Sequence, residues 1–162
     1  MKKRNCEIFF SFNFFLILIF LISINEIKSA DLTKQNPIEK KIYFKGKIGL
    51  NHYYEPNYLE FKTGKLYKLR LINNSDSKHY FTSLLFSKSI FTRKVQVSFN
   101  GKKLAEIKGD IDEVEVFPNN EIEWWFVPIK TGIFEDLHCY IKDTKTKKKH
   151  SEMGMNGVIV IE

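Results

Sequence analysis

From Ile42 onward, apolar and polar residues alternate in a series of short runs. Tyr67, Leu69 and Leu71 are separated by Lys68 and Arg70, the period of two expected of a half-buried strand. Val95, Val97 and Phe99 alternate with Lys94, Gln96 and Ser98, and Asn100-Gly101 then gives a strong hairpin signal, with a return strand over about Lys103 to Ile107. Val114 and Val116 lead into the turn Pro118-Asn119-Asn120, beyond which Ile122, Trp124 and Phe126 alternate. Thr131-Gly132 punctuates the entry to a strand from Ile133 to Ile141, and the final strand is Val158 to Ile161. No stretch after residue 30 shows a 3.6-residue apolar period with caps. Phe81 to Thr92 is the one ambiguous stretch, readable as an irregular loop or a short helix. About seven or eight strands with turns between them predict an all-β protein, an antiparallel Greek-key β-sandwich.

The opening of the chain breaks this pattern. Lys2, Lys3 and Arg4 precede an apolar stretch from Ile8 to Ile24, and small and polar residues follow at Lys28-Ser29-Ala30-Asp31. That order is the order of an export signal, with cleavage expected after Ser29 or Ala30. The expected organisation is therefore a signal peptide at residues 1–30, a polar lead-in at 31–41 containing Pro37, and one domain at 42–162. Lys28 spoils the cleavage site, so an uncleaved membrane anchor is the alternative to release into the periplasm or another exported location.

Charge and cysteine count narrow the chemistry. Without residues 1–30 the chain loses four basic and two acidic residues, leaving 22 against 17, a net +5. The lysines lie in ones and twos except between Lys142 and Lys149, the pattern of a solvated surface and not of a nucleic-acid stripe. Cys6 falls within the expected signal, which leaves Cys139 as a single thiol in an oxidising compartment. Such a thiol is a metal ligand, a buried inert side chain or half of an intermolecular disulfide. Strand parity groups Cys139 with Leu137 and Ile141 and sets it opposite His138. Cys139 is thus expected to point inward and His138 to lie on the rim.

The segment that follows carries His150, Gly154, Met155 and Gly157 ahead of the last strand. Cysteine, histidine, then Gly-Met-x-Gly in that order resembles the cupredoxin family, specifically the plastocyanin and plantacyanin-like type 1 copper proteins. The stretch Glu55 to Asn74 is similar to the family's proline, strand, glycine turn, strand and asparagine segment. The family's first ligand histidine then corresponds to His79, and Phe126-Val127-Pro128 through Phe134 is similar to the family's approach to its cysteine. The resemblance implies one mononuclear copper ion held by His79, Cys139, His150 and Met155, with Met153 the lesser axial candidate. In one respect the chain departs from the family. Ten residues, Tyr140 to Lys149, separate Cys139 from His150, where the family has only a few. His52 reads as an ordinary histidine near a strand end.

A thiolate, two imidazoles and a weak thioether suit both copper oxidation states, which implies a one-electron carrier. Two alternatives use the same residues or none: a periplasmic copper storage or delivery protein, and a metal-free β-sandwich interaction module. The implied partner is a redox protein or a copper-accepting protein, steered by the lysine run if its surface is acidic. No nucleic acid is expected, and the domain is expected to be a monomer. His138-Cys139 is also similar to the His-Cys-His motif of multicopper oxidases, but Tyr140 replaces the second histidine. The expectation is therefore that the chain is not an enzyme.

Overall fold

Alternation becomes strand wherever the sequence carries it. The computed structural model describes residues 34–162, and the expected signal segment with its cleavage point lies outside them. The strands are β1 (Ile38–Lys47), β2 (Asn51–Glu55), β3 (Tyr58–Phe61), β4 (Tyr67–Asn73), β5 (His79–Thr82), β6 (Ile90–Phe99), β7 (Lys102–Ile107), β8 (Glu113–Val116), β9 (Glu121–Pro128), β10 (Gly132–His138) and β11 (Asn156–Ile161). A short helix, α1 (Leu84–Ser87), occupies the ambiguous stretch, and a 3-10 turn spans Ser151–Met153. No helix among the described residues is long and apolar enough to cross a membrane.

Two sheets form, one in the order β2-β1-β4-β9-β6-β7 and the other β3-β11-β10-β5-β8. The sandwich read from the pattern is present, with more strands than the pattern separates. β2, β3 and β5 are only four or five residues long, too short for alternation to stand out. Both sheets are mixed, because β1 pairs with β4 and β3 with β11 in parallel. β1 begins at Ile38, inside the stretch read as lead-in. After Ile38 its early residues are polar, and Glu39 faces outward to meet Lys68 and Arg70.

The core lies between the sheets. Ile42, Phe44, Leu69, Leu71, Trp124 and Phe126 from the first sheet meet Leu59, Phe61, Phe81, Val116, Leu137 and Ile159 from the second. Phe86 of α1 fills the space between them, 5.7 Å from the Phe61 ring and 5.3 Å from the Phe126 ring. The Asp136 carboxylate fixes the helix by accepting from the Leu85 N–H at 2.9 Å and from the Ser83 hydroxyl. Burying aromatic side chains of this size contributes roughly 2–3 kcal/mol each, which gives the loops that join these strands a rigid base.

Candidate metal centre

Cys139 follows the last residue of β10 and is fully buried, as Leu137 is. Phe134 is buried too, although its parity is that of His138. The register of β10 against β11 shifts between Phe134 and Leu137, and this irregularity switches the inward face so that both positions point to the core. His138 is half-buried, with its ring against the Asp136 carbonyl at 2.7 Å.

The ten residues after Cys139 make a closed excursion. The His150 N–H donates to the Ile141 carbonyl at 2.7 Å, Asp143 N–H to Lys148 at 2.8 Å, and Lys142 pairs with Lys149 as an antiparallel bridge. Ser151 N–H then reaches back to the Cys139 carbonyl at 2.9 Å. The chain therefore returns to where it left, and His150 stands beside Cys139 despite the long gap. Loop closure cost grows only logarithmically with length, and here a buried carboxylate offsets it. Asp143 accepts from the N–H groups of Gly49, Lys145 and Thr146 at 2.8, 2.9 and 2.6 Å, and from His52 Nε2 at 3.2 Å. The Thr146 N–H foremost, with those of Gly49 and the His52 ring, holds the Asp143 carboxyl well below the usual range.

His79 opens β5 and is held by the loop before it. Asn73 Nδ2 donates to the carbonyls of Ser77 and Val116, while Asn73 Oδ1 accepts from Ser75. The Ser75 hydroxyl lies 2.6 Å from His79 Nε2. Its single proton goes to Asn73 Oδ1 or the Ser77 carbonyl, so it accepts from a protonated Nε2 and leaves His79 Nδ1 as a lone pair.

That lone pair faces the other donors. His79 Nδ1 is 3.0 Å from His150 Nδ1 and 3.9 Å from Cys139 Sγ, and His150 Nδ1 is 3.6 Å from the same sulfur. Bonds of about 2.0 Å to imidazole and 2.3 Å to thiolate, as in zinc sites, separate trigonal donors on one ion by roughly 3.5–3.7 Å. The three observed separations bracket that span, so the residues fit a single soft ion. All three side chains are buried. Burial, reinforced by His150 and His52, pushes His79 down to about 3, and burial chiefly pushes His150 down to about 4. Burial also pushes the Cys139 thiol up, against the Tyr80 N–H that donates to its sulfur at 3.4 Å. The metal-free site is thus two neutral imidazoles and a neutral thiol, and loading it displaces the thiol proton.

Met155 is fully buried in the core cluster that includes Cys139. Its N–H donates to the His150 carbonyl at 2.9 Å, and its own carbonyl accepts from Cys139 N–H at 3.2 Å. Met153 is half-exposed and accepts from the Thr146 hydroxyl at 3.4 Å, which ties it to the lysine-rich excursion. Gly157 lets the loop rejoin β11 tightly, since a Cβ there would lie 2.6 Å from the Asn57 carbonyl oxygen. The reading of His52 as ordinary is corrected. His52, His79 and His150 are all buried, with one ring nitrogen from each within 4.8 Å of the others. His52 stacks on His150 at 3.8 Å between centroids. The signal was present in the sequence, because His52 shares strand parity with the core residue Tyr54. Asp143 was also missed, and Asp-Thr inside a lysine run is a turn signal that could have found it.

No protein-family model matches the chain, and no curated protein matches it. Solved structures do. A multicopper oxidase from Pediococcus acidilactici is 19% identical with a TM-score of 0.56, covering 86% of this chain and 29% of its own. A metallo-oxidase of the multicopper class from Campylobacter jejuni is 20% identical with a TM-score of 0.53, covering 85% and 32%. A copper nitrite reductase from Nitrosomonas europaea is 12% identical with a TM-score of 0.53, covering 83% and 52%. This chain has a cupredoxin-like fold, similar to that of domains within these copper proteins, and it spans about a third to a half of their length. The expectation that the chain is not an enzyme is corrected by the same finding. That expectation rested on Tyr140 standing where His-Cys-His has its second histidine, whereas the structurally similar chains are enzymes and a fold of this kind does not decide function.

Proposed function

We propose that this chain is an exported protein that binds one copper ion and carries single electrons. The observation that carries the reading is the convergence of His79 Nδ1, His150 Nδ1 and Cys139 Sγ in a buried space. A bound copper there would cycle between two oxidation states. The chain's own residues supply the rest. Ser75 and the Asn73 brace orient His79, the pinned excursion orients His150, and the sandwich excludes water from all three. Donors held this firmly limit rearrangement when charge changes. Met155 stands as the axial thioether of this reading, being the buried methionine of the loop. The lysines of the excursion are exposed beside His150, and an acidic redox partner fits that face.

Titrating the purified protein with Cu(II) tests the reading. A strong visible thiolate-to-copper band with a reversible potential is expected, and Cys139→Ser abolishes the band. A metal-bound sample without that band sinks the carrier reading. Rapid surrender of copper to a competing chelator points instead to storage or delivery.

A further inference from the structure

The His52 imidazole lies outside the donor set proposed above, yet its surroundings are those of a ligand. Its Nε2 faces Asp143 Oδ2 at 3.2 Å, and an ionised carboxylate only accepts. Nε2 therefore carries a proton, and in the neutral ring Nδ1 is a lone pair. That Nδ1 is buried and has no hydrogen-bond partner among the described residues. An imidazole whose far nitrogen is clamped by a carboxylate is the arrangement that orients metal-bound histidines.

We propose that His52 is the fourth protein ligand of the ion, which makes the donor set three imidazoles and one thiolate and leaves Met155 as core packing. The proposal rests on the copper reading given above. One nitrogen each from His52, His79 and His150 already lies within 4.8 Å of the others. Nitrogens of a four-donor set with bonds of about 2.0 Å lie roughly 3.3 Å apart, so closure needs a movement of about 1.5 Å.

The backbone around His52 is built for this approach. In register opposite it on β1 is Gly46, with φ of 133°. A Cβ on Gly46 would lie 2.1 Å from the Asn51 carbonyl oxygen and 2.8 Å from His52 Cα. A side chain at that position would push β2 away from the site. Asp143, the residue that pins the excursion carrying His150, is also the residue that sets the His52 tautomer. One carboxylate thus prepares two of the three histidines. Imidazole is a harder donor than thioether, so this set favours Cu(II) over Cu(I) more than a methionine-bound set does.

The test uses the full chain with nitrogen-15 histidine, loaded with Cu(II) and examined by pulsed electron paramagnetic resonance. Three strongly coupled imidazole nitrogens are expected, falling to two in His52→Ala. Cu(II) affinity, read by chelator competition, should fall at least about 10-fold in His52→Ala and less in Met155→Leu, while the reduction potential rises in His52→Ala. Two strongly coupled nitrogens in the unaltered chain with the thiolate band intact overturn the proposal and leave the copper reading standing. Absence of the thiolate band overturns both. Should His52→Ala fail to fold, the nitrogen count of the unaltered chain decides alone.

Discussion

Two exposed, lysine-bearing segments of this protein look alike in composition and behave in opposite ways. The β6–β7 hairpin is regular strand, announced by Asn100-Gly101, yet every residue of β7 is exposed, Leu104 and Ile107 included. The excursion from Tyr140 to Lys149 has almost no regular structure, yet it ends with His150 fully buried between Cys139 and His52. What separates them is one side chain. The hairpin has Glu106, which meets Lys94 and Lys103 at the surface, and surface ion pairs contribute little. The excursion has Asp143, buried and holding three backbone N–H groups and an imidazole. Regularity of backbone and precision of placement are therefore independent here, and a satisfied buried carboxylate supplies the second without the first.

Removing that side chain should break the contrast most. Asp143→Ala strands four donors, so we expect a loss of about 3 kcal/mol or more in denaturant unfolding and 10- to 100-fold weaker Cu(II) binding. Unchanged values would mean that the excursion is placed by something else. Gly46→Ala keeps every hydrogen-bonding side chain but strains the β1–β2 approach, for an expected cost of about 1–3 kcal/mol with weakened Cu(II) binding. Acid gives a graded version of the same break. His79 and His150 sit at about 3 and about 4 against an ordinary 6.5, so the unfolded chain binds more protons between those values and 6.5. Stability of the metal-free protein should be full above pH 6.5 and fall through the interval, and the Asp143 carboxyl, held low in the fold, should continue the loss below about pH 4, a course that thermal melts at fixed ionic strength will follow. The smallest effect belongs to the hairpin. Leu104→Ser should change stability by no more than about 0.5 kcal/mol and leave copper affinity alone, and a larger shift would show that β7 is more than an edge.

How legible all this is in the sequence depends on the kind of force involved. Leu69, Leu71, Trp124 and Phe126 announce their strands because burial on one face imposes a period of two. Cys139, His150 and Met155 stand out because their residue types are rare and their order is informative. The parallel pairings of β1 with β4 and of β3 with β11 join residues far apart in the chain, and no local pattern encodes them. The closeness of His150 to Cys139 is hidden for a related reason, since a gap of ten residues says nothing about where its ends meet. His52 shows the opposite failure: the period-two signal at His52 and Tyr54 was available, but a lone imidazole in a short strand invites no chemistry until its neighbours are known.

Cys139 has no exposed surface, and its thiol is pushed above its ordinary value. Thiol–disulfide exchange proceeds through an accessible thiolate, so the resting protein offers oxidants and foreign disulfides almost nothing to attack. The burial that would preorganise the sulfur as a metal donor also shields the empty protein. If the chain is exported as proposed, its metal-free form could wait in an oxidising compartment without cross-linking or overoxidation, and the sulfur would become a thiolate only when a metal displaces its proton.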